Sequence, residues 1–297
     1  MATDLYAAPD PLVQPARAER VNYATGVLLQ AEDFRDEQTY HRRRLALALR
    51  HLAGFGTLAG LAVRAPEAED NDLELRVEPG VALDRYGRLI EVAEPWCIHL
   101  TRWFVAQETS QLVAALHPAP RTPFDLAVVA DVFLSARDCE RGMTPSFSEG
   151  PFDALDALVP ARLAEEPSFE LVLRAEGGTN PIPAPKNGWP APSASKEAKL
   201  AAVLGSWDTG LSGDLDEGLD PLGEHVAGHE LSAVLLARIA IPVSRPADAP
   251  ASTPPTLDLT RRPRVDNGLR PFIYLPGKWL GRAPAEALIV EPEEPSA

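Results

Sequence analysis

The chain has 297 residues, of which 28 are basic and 43 are acidic, so its formal net charge is −15. A surface this acidic repels phosphate groups, which argues against nucleic acid and against a general contact with anionic membranes. Apolar residues make up 45% of the chain, which is ordinary for a soluble globular protein with a sizeable core.

Proline and cysteine usage set further limits. The 30 prolines are about twice the usual share of roughly 5%, and proline disfavours helix interiors and central strands. They predict much irregular chain and short strands.

Cys97 and Cys139 lack C-x-x-C spacing, so we expect neither a disulfide framework nor a zinc ribbon. Two isolated thiols, no secretory signal and no apolar run of membrane-spanning length predict a cytoplasmic protein.

The first 20 residues predict an extended arm, and a long helix follows over 31–52. Acidic residues crowd the first turns of this helix and arginines the later ones, which suits the helix dipole at both ends. Gly54 and Gly56 are expected to end it. One stripe along the helix is mostly apolar, with Gln38 as a polar interruption. This stripe consists of Phe34, His41, Leu45, Ala48 and Leu52.

A β-hairpin is predicted in the segment VEPGVALDRYGRLIEV. Two runs alternate apolar and polar residues on either side of Asp84–Gly87. Asp at the first place and Gly at the last are typical of a type I turn with a glycine bulge, so Gly87 is expected to have a positive φ. Further strands are predicted over 73–77, 111–116, 124–134, 169–174 and 233–241.

The predicted fold class is α+β: a long N-terminal helix followed by a mainly antiparallel β domain with a long irregular insertion and Pro-rich arms. Residues 1–64 form an N-terminal arm and docking helix, and 65–175 the first part of the β domain. Residues 176–230 form a Pro/Gly-rich acidic insertion with one helix in SKEAKLAAVLGSW. Residues 231–297 form the final core strand and a Pro-rich C-terminal arm.

Motifs that could carry chemistry are incomplete. His225 and His229 have the i,i+4 spacing of a metal pair, but no glutamate stands where a zinc hydrolase needs its general base. The carboxylates of 208–220 do not match the register of a calcium loop, and the tripeptide at Asp208–Gly210 has no second copy. Nucleophile and phosphate-loop signatures are absent from the sequence. We therefore predict no catalytic residue, no cofactor and no metal; a metal hydrolase at the two histidines is a minor alternative.

Two motifs resemble those of a known protein family. YATGVLLQAEDFRDEQTY is similar to the pattern Y-x-x-G-x-L-L-x-x-x-D-F-x-x-E-Q-x-Y, and VEPGVALDRYGRLIEV to P-G-x-A-L-D-x-x-G-x-x-I. The pair resembles accessory proteins of phage tails and phage-like contractile injection systems, which are baseplate- or fibre-associated structural parts without known enzymatic activity. The matching residues are Tyr23, Gly26, Leu28, Leu29, Asp33, Phe34, Glu37, Gln38 and Tyr40, then Pro79, Gly80, Ala82, Leu83, Asp84, Gly87 and Ile90.

The resemblance implies a non-enzymatic structural component of a contractile, phage-tail-like particle, in or around its baseplate and assembled in the cytoplasm. Its implied partners are other structural proteins of the baseplate or spike region and further copies of the chain, without nucleic acid or membrane insertion. Arg42, Arg43 and Arg44 form a basic run on an acidic chain, which predicts contact with an acidic surface. The alternative is a fibre or receptor-binding module, with carbohydrate among its ligands, that uses loop tryptophans.

Overall fold

The computed structural model describes residue 12 and residues 19–65, 73–119, 122–145, 158–175, 182–185, 193–208, 219–246 and 248–273. Four helices lie within these residues: α1 Ala31–Ala53, α2 Leu100–Val105, α3 Thr109–Ala114 and α4 Lys196–Asp208. The strands are β1 Gly56–Gly60, β2 Val63–Arg64, β3 Glu74–Val77, β4 Gly80–Leu83, β5 Leu89–Val92, β6 Trp96–His99, β7 Leu116–Pro118, β8 Leu126–Pro145, β9 Leu158–Leu173, β10 Val234–Ser244, β11 Thr256–Leu257 and β12 Arg264–Asp266. Residues 1–11, 13–18 and 274–297, which belong to the predicted N-terminal arm over the first 20 residues and the Pro-rich C-terminal arm within 231–297, lie outside the described residues.

Three sheets organise these strands. The first has the order β1-β4-β5 and the second the order β2-β3-β6. The largest sheet has the order β11-β10-β8-β7, with β9 also paired to β8 and β12 to β10. Each pairing between these strands is antiparallel. Helices combined with antiparallel sheets confirm the predicted α+β class, while the division into four segments stays a prediction.

The main core lies where the three sheets and α2–α3 meet. Its centre is formed by β8 and β10, whose nearly continuous apolar sequences are buried on both faces, as central strands require. The two smaller sheets contribute alternate side chains to this core, since every second residue of β3 and β5 is buried. Fully buried members of this core include Leu61, Leu75, Val128, Val132, Leu134, Val234, Leu236, Ile239 and Ile241.

The hairpin of β8 and β9 extends far beyond this core. Its register runs without a shift from Ala130 opposite Leu173 to Pro145 opposite Leu158. The half of β8 nearest the sheet is buried and that of β9 is partly buried, whereas 137–145 and 158–166, here called the β arm, are mostly exposed. A two-stranded ribbon alone is marginal in water, so the β arm depends on neighbouring elements for support.

The predicted strand over 111–116 is wrong. Thr109–Ala114 form the helix α3, and the strand β7 begins only at Leu116. Leu112 and Ala115 are the buried positions here, and their spacing of three residues fits a helical face and not a strand. The strands predicted over 124–134 and 169–174 were too short because the apolar pattern stops where the β arm leaves the core.

Candidate interaction surface

The helix α1 buries little of its own surface. It has 23 residues, yet only Ala46 and Arg50 are buried. The backbone N–H of Gln30 donates to Asp33 Oδ2 at 2.7 Å, which fixes the first turn. At the other end, Gly54 has φ 77° and its N–H donates to the Arg50 carbonyl at 2.9 Å. Because most helix stability in proteins comes from packing of one face, so exposed a helix is suited to docking on something else.

The turn between β4 and β5 contacts α1 from one side. Gly87 has φ 88°, and its N–H donates to the Asp84 carbonyl at 3.0 Å, which confirms the predicted turn. A Cβ atom at Gly87 would lie 2.0 Å from the carbonyl oxygen of Ala46. The turn therefore touches the backbone of α1 directly, at a residue that follows the first motif in the same helix.

A buried carboxylate holds the turn in shape. Asp84 Oδ1 accepts the N–H groups of Tyr86 at 3.0 Å and Arg88 at 2.8 Å, while Oδ2 accepts Arg88 Nε at 2.5 Å. Burial raises the pKa of Asp84, and the neighbouring Arg88 opposes this shift. Arg88 Nη2 also donates to Ser232 Oγ at 2.9 Å, and Arg85 Nη1 donates to the Leu231 carbonyl at 2.9 Å. The turn is thus tied both to α1 and to the segment that enters β10.

The basic run divides between two environments. Arg42 Nη2 lies 2.9 Å from Glu165 Oε1 and 3.9 Å from Asp138 Oδ2, so this arginine contacts the β arm of its own chain. Arg43 and Arg44 instead line a groove of about 650 Å³ between α1 and residues 19–29. The guanidinium of Arg44 lies 6.0 Å from the ring centroid of Tyr40, which also lines the groove.

The predicted apolar stripe of α1 faces solvent. We call it the α1 seam; it consists of Phe34, Gln38, His41, Leu45, Ala48 and Leu52, all of them exposed. The side chains of Leu45 and Leu52 are 61% and 80% exposed. Successive seam positions are separated by four, three, four, three and four residues, which is the heptad spacing of a coiled coil.

The remaining motif residues have different roles. Tyr23 and Leu28, ahead of α1, are exposed, and Gly26 has φ 87° with open space around it. Glu37 Oε1 lies 2.9 Å from His41 Nε2 on the helix surface. Gly80 is structural, since a Cβ there would lie 2.3 Å from the Ala59 carbonyl oxygen and push β4 away from β1. Apart from Pro79, the exposed motif residues therefore lie on and before α1.

The two histidines, His225 and His229, make separate contacts within the chain. His225 Nδ1 accepts the Leu222 N–H at 3.0 Å, and Nε2 lies 3.2 Å from the Ala233 carbonyl oxygen. Both ring nitrogens are thus engaged, and burial lowers the pKa of His225. His229 Nδ1 lies 2.8 Å from Glu170 Oε1 on the surface. The described residues contain no group of three or more His, Cys, Asp or Glu side chains that could hold a metal ion.

Trp103 in α2 and Trp96 in β6 contact other parts of the chain, although Trp96 remains 47% exposed. Trp103 Nε1 donates to the Leu171 carbonyl at 3.1 Å, and the ring of Trp96 lies 5.4 Å from that of Phe169. Trp189 and Trp279 lie outside the described residues, as does most of the acidic loop at 208–220.

One buried ion pair was not predicted from the sequence. Asp131 of β8 is fully buried and accepts Arg238 Nε at 2.7 Å and Nη2 at 2.8 Å across the paired strand β10. Arg174 Nη1 lies 3.5 Å from the same carboxylate. The available signal was a single acid in LAVVADVFL and a single base in VLLARIAI, two strands otherwise apolar. Such lone charges in central strands are expected to pair because burial of an unpaired charge is costly.

No family model matches this chain, and no curated protein matches it. Among solved structures, a crystal structure of TssK aligns with 55% of this chain at 14% sequence identity and a TM-score of 0.27. The alignment spans 36% of the TssK chain. A likeness this weak supports no argument about function. No helix within the described residues is long and apolar enough to cross a membrane.

Proposed function

We propose that this chain is a non-enzymatic structural component of a contractile, phage-tail-like injection particle, in or around its baseplate. The observation that carries the proposal is the exposure of α1. The helix is capped at its start and end and held at Ala46, yet it presents Phe34, Leu45 and Leu52 to solvent. Large apolar side chains aligned on one exposed face are typical of an interaction surface.

The resemblance of the two sequence motifs supports the choice of particle. One motif forms the segment before α1 and the first half of the helix, and the other forms the turn that contacts α1. The two motifs therefore build one structural unit, and this unit carries the exposed surface. An interface function explains why both motifs consist of packing, turn and capping residues.

The β arm supports an assembly role independently. It projects from the core as a two-stranded ribbon with exposed apolar side chains at Met143, Leu158 and Leu163. Ribbons of this kind gain stability when a neighbour covers them. Arg42 bonds to Glu165 in the arm, so the arm and α1 are presented side by side.

The experiment uses particles purified from cells that encode this chain and its neighbouring tail proteins. The tagged chain is expected to co-sediment with contractile particles in a fixed molar ratio, measured by quantitative mass spectrometry. Leu52→Gln should reduce incorporation severalfold, because Leu52 is 80% exposed on the α1 seam. Val105→Gln is the matched control, since Val105 is 79% exposed outside α1, and should incorporate normally. A wild-type chain that stays in the supernatant of intact particles would refute the proposed function.

A further inference from the structure

The α1 seam has the geometry of one strand of a coiled coil. Its six residues follow the alternating spacing of a and d positions over most of a helix that runs from Ala31 to Ala53. In heptad terms, Gln38, Leu45 and Leu52 occupy a positions, and the other three seam residues occupy d positions. A surface of this pattern is covered by another helix that lies nearly parallel to it.

The two polar residues of the α1 seam favour one kind of partner helix over others. Gln38 and His41 lie next to each other on it and are both exposed. A wholly apolar partner helix would bury Gln38 without offering it a hydrogen bond and would leave His41 with only its contact to Glu37, which is unfavourable. In a parallel, in-register pair of identical helices, Gln38 faces Gln38 and His41 faces His41, so each polar layer meets a polar layer. In an antiparallel pair with full overlap, Gln38 faces Ala48 and His41 faces Leu45.

The charges beside the seam point to the same arrangement. In a parallel pair, a g residue faces the e residue five positions later on the other helix. Glu37 at g then faces Arg42 at e, twice by symmetry, and Arg44 at g faces the neutral Leu49. In the antiparallel pair, Arg44 faces Arg44 and Arg42 faces Arg42, which brings like charges together. An arginine has five N–H donors, so Arg42 can bind Glu165 of its own chain and a second carboxylate together.

We propose that α1 forms a parallel, in-register coiled coil with α1 of a second copy of this chain. The proposal rests on the proposed function, since it names the partner of the same exposed helix. The contact between Gly87 and Ala46 lies at a b position, away from the seam, so the turn does not obstruct the second helix. The pair is isologous, with the same residues on both sides, as a twofold dimer requires.

Thiol crosslinking of the full chain tests the orientation. In a background with Cys97→Ser and Cys139→Ser, Ala48→Cys places two thiols in one d layer of the parallel pair, within reach of a disulfide. Mild oxidation is expected to convert most of this variant to a covalent dimer. Asp36→Cys, at an f position on the side of α1 away from the seam, is the control and should remain monomeric on a denaturing gel. Crosslinking only in a mixture of the Gln38→Cys and Ala48→Cys proteins would establish an antiparallel pair and overturn the proposal.

Light scattering of the untagged chain tests the association itself. The wild type is expected to be dimeric, and Leu45→Gln should raise the dissociation constant by about tenfold or more, because a buried leucine is lost from both helices. Leu259→Gln is the matched control, since Leu259 and Leu45 are both 61% exposed, and should leave the dissociation constant unchanged. A wild type that is monomeric at every concentration, or equal effects of the two variants, would overturn the second-copy contact.

The outcomes separate this inference from the proposed function. A monomeric wild type whose incorporation into particles depends on Leu52 would mean that a different component covers α1, so the second-copy contact would fall and the proposed function would stand. A parallel dimer that never enters particles would support the second-copy contact and refute the proposed function. Loss of both dimerisation and incorporation in Leu45→Gln, with both retained in Leu259→Gln, supports the two together.

Discussion

Replacement of Gly87 by alanine tests whether the β4–β5 turn holds α1 in place. Gly87 has φ 88°, and an added Cβ would lie 2.0 Å from the Ala46 carbonyl oxygen and 2.7 Å from its carbonyl carbon. Both clashing atoms belong to the helix backbone, which cannot rotate away as the end of a flexible side chain can. The helix and the turn must therefore separate, and water would approach the buried carboxylate of Asp84.

The expected loss of stability has two parts. A non-glycine residue with positive φ costs about 1–2 kcal/mol. Separation of packed groups adds about 1–3 kcal/mol, as overpacked core substitutions do. The free energy of unfolding of Gly87→Ala should therefore fall by about 2–5 kcal/mol, a large share of the total stability of a domain.

Urea unfolding followed by circular dichroism measures this loss, and Gly228→Ala is the matched control. Gly228 has φ 86°, but a Cβ there would meet nothing within 4 Å. The control should lose only the backbone part, about 1–2 kcal/mol. Equal losses in the two variants, with equal denaturant slopes, would mean that the contact between the turn and α1 contributes nothing, and the reasoning would be wrong.

Three further predictions concern charged and polar contacts. Asp131→Ala should lower the free energy of unfolding by about 3–5 kcal/mol in urea, because Arg238 is left partly buried without its carboxylate; a loss below about 1 kcal/mol would contradict this. Burial lowers the pKa of His225, so the unfolded chain binds a proton before the folded chain does as the pH falls below 6.5. The free energy of unfolding of the wild type should therefore fall more steeply with pH there than that of His225→Gln. Equal pH dependence of the two free energies would count against this prediction. Arg42→Gln removes a partly exposed ion pair with Glu165 and should cost less than about 1 kcal/mol; a loss of several kcal/mol in thermal unfolding would be inconsistent with this weak pair.

Local features of the fold were predictable from the sequence. The glycine at 54 and the sorted charges predicted a helix over 31–52, and α1 spans Ala31–Ala53. Asp84 and Gly87 predicted the β4–β5 turn, because turn chemistry depends on a few neighbouring residues. Both predictions concern contacts close in sequence.

Features that depend on distant parts of the chain were not predictable in the same way. Periodicity identified the stripe of α1, but an apolar stripe looks the same whether its own core or another chain covers it. The pairing of Asp131 with Arg238 needs the register of β8 against β10, which no local pattern specifies. The segment that became α3 has too few residues for its helical and extended patterns to be distinguished.

The contact between Gly87 and Ala46 links the hairpin motif to the helix whose first half carries the other motif. Ala46 lies at a b position, so the face of α1 that meets the turn is not the face that carries Leu45 and Leu52. Because this contact joins backbone to backbone, the helix cannot roll without a clash, and its outward face is fixed relative to the sheets. A helix held in this way loses less freedom when it binds than one on a loose tether, so more of its apolar surface contributes to affinity. In the assembly role that we propose, the hairpin motif orients α1, and the α1 seam supplies the contact.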